Sequence, residues 1–554
     1  MNKQHNRVLK IHAIDNVLVA LSDLEIGTVI PFEQEEYLIK NRVSAKHKFS
    51  IENLCKGDAV YMYGVLVGRA KKDILKGGLI STTNLVHDTE HYGVENSENK
   101  IEWEAPDISI FQNKTFNGYH RPDGKVGTEN NWLIIPLVFC QNRNVEVLKE
   151  ALLKKLGFDK QQHLGLDVEM LIEDYKNGAT SAEILGRDIL KSNTQMNKNS
   201  LFPNVDGIHF LTHDGGCGGA TSDAIALCHL LAGYINNPNV AGATILSLGC
   251  QHAQASILEK ALRQMSPNHE KPVYIIEQQQ SDSEQQLLAD AVKKTFVGLI
   301  GANKIERKPA PLNKLVIGLE CGGSDGFSGI SANPTLGYVS DLVVSCGGAT
   351  VLSEFPELNG VEQELINRCI NGYKAKKFSK IMSTYNAKAD ALGSGFYANP
   401  SPGNIKDGLI TDAIKSAGAA KKGGSSPVMD VLDYTEQVNS PGLNLLCTPG
   451  NDVESTTGLA GSGCNIILFT TGLGTPTGNP ITPVIKVSSN TKLFNKMPDI
   501  IDFDTGDIID GKASIEDKGE ELLNLVLEVA SGRKSKSKEL RQDDFIPWKR
   551  GMSL

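Results

Sequence analysis

The chain has 554 residues, with 56 lysines and arginines against 65 aspartates and glutamates and a formal net charge of -9. Its sequence pI is ≈ 5.8. At roughly 150 residues per domain the length predicts three to four domains, and the acid excess argues against a nucleic-acid partner, which needs a basic footprint. A composition 40% hydrophobic and 22% charged excludes a disordered chain.

Glycines number 54 while aromatics make up only 6%, a glycine excess over the usual ~7% that predicts many tight loops. No apolar run approaches the ~20 residues of a membrane span, so no membrane partner is expected. The N-terminus carries no apolar core of a secretory signal. Ten scattered cysteines then predict free thiols in a reducing cytoplasm.

The first ~90 residues hold short apolar runs, Val17 to Leu21 and Ala59 to Val67, punctuated by glycines. They predict a small β-rich domain. The polar stretch His87 to Lys100 reads as a solvated linker. Trp132 to Phe139 is a continuous apolar run, as a strand buried on both faces requires; Pro136 inside it predicts a bulge or an edge. A helical period follows from Val145 to Leu156 and stops at Gly157.

The same strand–loop–helix unit recurs. Ile208 to Leu211 leads into THDGGCGG and a helix capped by Thr221 or Ser222, with Asp223 in its first turn. Ala243 to Leu248 leads into GCQH and a helix from about Ala253 to Met265, and Val273 to Ile276 precedes one from about Ser283 to Phe296. Leu315 to Leu319 leads into ECGGSDGFSG and a helix from about Pro334 to Ser345, with a strand at Thr350 to Leu352. Further strands are expected at Leu443 to Leu446, Ile466 to Phe469 and Val484 to Val487, a helix at Ile515 to Ala530, and an exposed charged tail, GRKSKSKEL. The fold class is therefore α/β, with doubly wound, mainly parallel sheets behind a small β-rich domain. The units are 1–90, a linker 91–115, a first α/β part 116–308 and a second 309–554.

In such sheets ligands bind beyond the carboxyl ends of the strands. Cys217, Cys250 and Cys321 each follow a predicted strand and neighbour glycine, which lets a ligand approach the backbone. The plain alternative is that a cysteine packs as a small hydrophobe, which suits Cys228, Cys346 and Cys369. If the three loop thiols ligate, their softness favours iron, alone or as a cluster with an open iron. His213, at a strand end, is a candidate base or ligand. His47 lies between Lys46 and Lys48, whose charges would lower its pKa. Ser324, Asp325 and Ser328 precede a helix whose N-terminus favours an anion, and Thr470 to Gly478 offers hydroxyls and amides. Neither a GxxxxGK[ST] loop nor a dinucleotide fingerprint is present, which disfavours an ATPase and a nicotinamide-dependent redox enzyme. A GxSxG elbow is also missing.

These motifs, in order and over nearly the whole chain, resemble the altronate dehydratase / galactarate dehydratase family. HKFS…LCKGDAVYMYGVLVGRAKKDILKGG looks like the SAF-type domain that begins those enzymes. GYHRPDGKVGTEN, THDGGCGG, LGC, CGGSDGFSGISANPTLGYVSD, SEFPE, NPSPGN, TPGNDVESTTGLAGSGCN, FTTGLGTPTG and PVIKVSSN follow it. Two departures stand out. Paired histidines common before an asparagine in the small domain are replaced by Ser81-Thr82-Thr83-Asn84, and the glutamate common after LGC by Gln251-His252.

The resemblance implies iron-dependent removal of water from a small anionic sugar acid: altronate to 2-dehydro-3-deoxygluconate in hexuronate breakdown. Galactarate, or elimination of another β-group such as sulfite, is the rival within the family; a non-catalytic sugar-acid binder is the rival outside it. His213, His47 and Arg121 are then expected to be catalytic, and Cys217, Cys250 and Cys321 to hold Fe2+. Ser324, Asp325, Asn333, Thr457, Thr471 and Lys486 are expected to bind substrate. Arg121, Lys486 and Lys48 are the cations expected to offset the net negative charge. The small domain is expected to act as a lid hinged at the linker. Oligomeric state is left open, a homo-oligomer included.

Overall fold

A computed structural model of the chain describes residues 7–94, 103–158, 164–192, 200–267 and 270–552. The N-terminal unit is β-rich throughout. It has a four-stranded sheet (Val8–Leu9, Val17–Ala20, Lys48–Ser50, Leu79–Ile80), a hairpin (Val29–Phe32, Glu35–Leu38) and a three-stranded sheet (Ala59–Met62, Val65–Ala70, Leu85–Val86), all paired antiparallel. The turn Tyr63-Gly64 takes positive φ at both residues, the geometry of a two-residue hairpin loop that follows strand twist. Asp15 holds it by accepting from the N–H of Tyr63 at 3.1 Å and of Gly64 at 2.9 Å.

Two parallel sheets form the rest of the core. The first has the order Gly207–Phe210, Asn131–Pro136, Val240–Ser247, Val273–Glu277. The second orders seven strands as Val428–Leu432, Gly442–Leu446, Ala349–Leu352, Val316–Cys321, Ile466–Thr471, Val484–Ser488 and Phe503–Asp504. Helices cover them, so the central strands are buried along their whole length, as their unbroken apolar runs predict. A small antiparallel sheet built on Thr115–His120 pairs with Val126–Gly127 before the first part and with Arg307–Pro311 after it. Winding reverses once in each sheet, between Asn131–Pro136 and Val240–Ser247 in the first and between Val316–Cys321 and Ile466–Thr471 in the second. Those are the places where loops part and leave a crevice.

Several local expectations change. Pro136 ends a central strand, paired on both sides of it, and is neither at an edge nor in a bulge. It needs no N–H there, and its carbonyl serves His213. Thr221 is the first helical residue, and the preceding Ala220 supplies no side-chain cap. The tail GRKSKSKEL is not simply exposed: Ser535 and Ser537 are buried, Ser537 Oγ donates to Val484 O at 2.9 Å, and Lys538 pairs with Glu129 at 2.9 Å. His87 to Val94 is not a solvated linker. His87 contacts Asp412, Gly93 N donates to Gln363 at 2.9 Å, and Tyr92 and Val94 pack on the core. The remainder of that segment, 95–100, lies outside the described residues.

The N-terminal unit is also joined to the second α/β part by one apolar core, in which Tyr63, Val67 and Leu85 meet Phe327, Ile330 and Ile414. Polar contacts seal the seam. Lys46 Nζ bridges Asp325 at 2.9 Å and Asp407 at 3.0 Å, and the fully buried Lys48 donates to Gly408 O at 2.7 Å. A domain docked this way is a built wall, not a free lid. Lys46 is the only cation paired with the buried Asp325 carboxylate among the ion pairs of the described residues. Lys46→Met should therefore cost about 3 kcal/mol, since breaking a buried pair strands a charge. Urea unfolding measures it, and a loss under about 0.5 kcal/mol, the scale of an ordinary surface change, would refute the seam.

Candidate active site

Strand Val316–Cys321 delivers two side chains to the reversal point of the second sheet. Cys321 closes it, and Glu320 precedes it; both are buried. The next strand, Ala349–Leu352, runs into Ser353 and Glu354, and Glu354 takes a left-handed backbone (φ 63°). Such a conformation is costly outside glycine and is often kept for a functional position. It aims the carboxylate back across the sheet. Glu354 Oε2 accepts from Cys321 N at 3.1 Å, and the thiol donates to Glu357 Oε2 at 3.1 Å. Helix Asp412–Ala420 and the turn after it bring two cations. Lys415 Nζ lies 2.6 Å from Glu357, while Lys422 Nζ lies 2.7 Å from Glu354 and 2.8 Å from Cys321 Sγ.

Charge in this cluster is nearly closed. Burial, reinforced by Glu354, pushes Glu320 well above the usual carboxyl range. Its Oε2 accepts from Ser353 and Ser455 hydroxyls at 2.6 Å each, and it reads as the neutral acid. Burial and then Glu354 and Glu357 push the Cys321 thiol well up, so it keeps its proton. Burial alone would raise Glu357, but Lys415 and Lys422 hold it below the usual value. Lys422 stays above its usual range against burial, because thiol and carboxylates surround it. Two carboxylates thus face two ammonium groups.

Asp452 opens helix Asp452–Gly461 beside this cluster, and burial followed by Glu354 and Glu357 raises it to about 7. A Cβ on Gly322 would stand 2.2 Å from Asp452 Oδ2, so a side chain next to Cys321 would displace that carboxylate. Glu454, on the same first turn, is raised by burial and by Asp214, which lies on the glycine-rich loop of the first sheet. The first turn of that helix therefore lies near the glycine-rich loop of the first sheet.

A cavity of about 910 Å³ opens at the loops of the first sheet, lined by Phe139, His213, Cys217 and His252 together with Tyr434 and the C-terminal Phe545–Lys549. His213 is buried with both ring nitrogens engaged. Nε2 donates to Pro136 O at 2.7 Å and Nδ1 accepts from Gly215 N at 3.1 Å, and burial lowers its pKa. It shapes the loop and leaves no nitrogen for a substrate proton.

The other expected residues divide in the same way. Cys217 and Cys250 follow strands of the first sheet while Cys321 ends a strand of the second, and the three are not gathered within 4.8 Å of one another. Among the described residues the group with metal-ligand proximity is Cys321, Glu354 and Glu357, whose donor atoms lie within 4.8 Å of one another. Lys422 already sits on that group and its charge balances without an ion, so iron does not fit there.

His47, lowered by burial and then by nearby Lys48, meets only Lys406 O, at 3.0 Å, in the seam. Arg121 lies at the amino ends of the first sheet, donating to Pro238 O at 2.7 Å and Asn130 at 3.0 Å. Asp325 is saturated by Ser328, Ser489, Asn490 and Lys46. Asn333 ties Gly418 O to Thr470 Oγ1, and Asn404 holds Ser324 O at 2.7 Å. Thr457 Oγ1 accepts from Ile546 N at 3.1 Å, Thr471 Oγ1 from Gly474 N at 3.0 Å, and Lys486 meets Gln542. These residues frame the site and are largely committed to internal bonds. The sequence reading overlooked Glu354, Glu357, Lys415, Lys422 and Asp452; SEFPE and TPGND held three of them, and no motif marked the lysines.

A buried acid–base cluster at the reversal point of the second sheet is the setting of an enzyme site. Its class is given by comparison. Family profiles match residues 6–88 (Altronate/galactarate dehydratase SAF domain), 118–303 (D-galactarate dehydratase/Altronate hydrolase, second domain) and 312–553 (D-galactarate/Altronate dehydratase, C-terminal). The chain is 32% identical to the altronate dehydratase of Escherichia coli K12 and 31% to that of Bacillus subtilis 168, over 99% of both chains in each case. It is 30% identical to the E. coli galactarate dehydratase (L-threo-forming), covering 95% of this chain and 93% of that one. The chain belongs to the altronate/galactarate dehydratase family.

Lys422→Met would leave Glu354 unpaired in a dry site and should destabilise the fold by roughly 3–5 kcal/mol. Lys421→Met, one residue away on a half-exposed side chain, should change it by less than about 0.5 kcal/mol. Chemical denaturation of both variants checks the contrast, and equal effects would contradict the charge balance.

Proposed function

We propose that this sugar-acid dehydratase acts on D-altronate, forming 2-dehydro-3-deoxy-D-gluconate in hexuronate breakdown in the cytoplasm, with iron as cofactor. Full-length similarity to two altronate dehydratases supports the substrate. Ten unpaired cysteines support a reducing compartment, and no helix among the described residues is long and apolar enough to cross a membrane.

The observation that carries the chemistry is Asp452, a half-buried carboxyl raised to about 7. Dehydrating a 2,3-dihydroxy acid removes the weakly acidic C2 proton and expels the C3 hydroxyl. A base with a pKa near the working pH is the efficient one. Asp452 fills that role, and once protonated it can return its proton to the leaving oxygen. Glu354 and Glu357 act on Asp452 by repulsion, which keeps it a stronger base than an exposed aspartate. Lys415 and Lys422 hold those carboxylates in place. Iron, when bound, supplies Lewis-acid stabilisation of the enediolate.

Asp452→Asn should lower kcat roughly 10²–10⁴-fold with the fold intact. Because the base form exists only above its pKa, the wild-type rate should fall as the pH drops through about 7. A flat acid limb, or an active Asn variant, would remove Asp452 from this role. Assays offering altronate and galactarate separately test the substrate; product from galactarate alone would reassign it.

A further inference from the structure

Three of the ten thiols share one rim. Cys140 follows strand Asn131–Pro136, Cys217 follows Gly207–Phe210, and Cys250 follows Val240–Ser247. These are neighbouring strands of one parallel sheet, with Cys140 and Cys250 flanking its reversal point. The three loops are tied together: Phe139 N donates to Gly215 O at 3.0 Å, and Ala253 N donates to Gly216 O at 3.0 Å. Gly216 takes φ 101°, and a Cβ there would stand 2.2 Å from Leu137 O, so the glycine loop threads directly against the Cys140 loop. All three thiols are exposed, whereas Cys228, Cys321, Cys369, Cys447 and Cys464 are buried; the remaining exposed one, Cys55, is in the N-terminal unit. Cys217 and His252 line the cavity of about 910 Å³.

We propose that Cys140, Cys217 and Cys250 ligate a [4Fe–4S] cluster whose fourth iron faces that cavity. Each thiol gives up its proton as its sulfur binds. Size separates this from a single ion. A mononuclear tetrahedral site with metal–sulfur bonds of about 2.3 Å needs its sulfurs closer together than the 4.8 Å within which these three do not gather. A cubane holds its ligand sulfurs further apart and suits ligands from three separate loops. The Gln279 amide, with Nε2 3.2 Å from Cys250 Sγ, supplies the kind of N–H···S bond that tunes such clusters. Three protein ligands leave one iron free for an oxygen ligand, and a hydroxy-acid carboxylate and hydroxyl have that chemistry. That last role rests on the dehydratase reading above; the cluster itself does not.

The test is iron and acid-labile sulfide in the full chain purified without oxygen, with the visible charge-transfer absorption as a second readout. About four sulfides per chain are expected. Sulfide should fall roughly tenfold in each of Cys140→Ser, Cys217→Ser and Cys250→Ser, with circular dichroism reporting the fold. Cys55→Ser and Cys321→Ser should keep it. Iron without sulfide, zinc with His252 as a fourth ligand, or sulfide insensitive to the three substitutions would each overturn the proposal. Full sulfide with no turnover of either sugar acid would instead sink the functional reading and leave the cluster standing.

Discussion

The interaction on which this molecule depends is the pairing of Lys415 and Lys422 with Glu357 and Glu354 around the Cys321 thiol. Ionised groups this deeply buried are tolerated only when they are paired and hydrogen-bonded. Here the pairing draws on four separate segments: the end of Val316–Cys321, the turn after Ala349–Leu352, the helix Asp412–Ala420 and the turn that follows it. None of these can shift without leaving a charge unanswered. Burial, and then Glu354 and Glu357 of the same cluster, raise Asp452 to about 7.

Each parallel sheet contributes a different chemistry at its own reversal point. The second supplies acids, bases and a protonated thiol in a dry setting; the first supplies exposed thiols on glycine-bearing loops. The cavity opens at the first sheet's loops, and the C-terminal Phe545–Lys549 lines part of it. The N-terminal unit joins the second part through a shared apolar core and the Lys46 bridge. It braces the loop holding Asp325, and that loop begins with the glycines next to Cys321.

Much of the fold was legible because buried parallel strands leave unbroken apolar runs and helices leave a period. Strands at 131, 316 and 466 and the helix Ile515–Ala530 were read close to their observed bounds. Val428–Leu432 escaped, since Asp430 interrupts its apolar character, as did the long helix Gly372–Ala391, whose lysines mask its buried Ala375, Phe378 and Met382. The site was only partly legible. Strand-end cysteines stand out in a string, but which sheet each strand joins is not written there, so Cys321 was grouped with thiols of the other sheet. Cys140 was hidden at the end of an apolar run. Lys415 and Lys422 look like ordinary surface charges until the tertiary fold buries them, and His213 looked reactive until both of its nitrogens were found engaged.

The charge balance at Cys321 and the thiol rim of the first sheet make one joint statement about where iron resides. Anomalous diffraction at the iron edge, on crystals grown without oxygen, addresses it most directly. The account predicts iron density bonded to Cys140, Cys217 and Cys250, with Lys422 still seated on Cys321 and Glu354. Iron bonded to Cys321, with the Lys422 ammonium displaced, would contradict it.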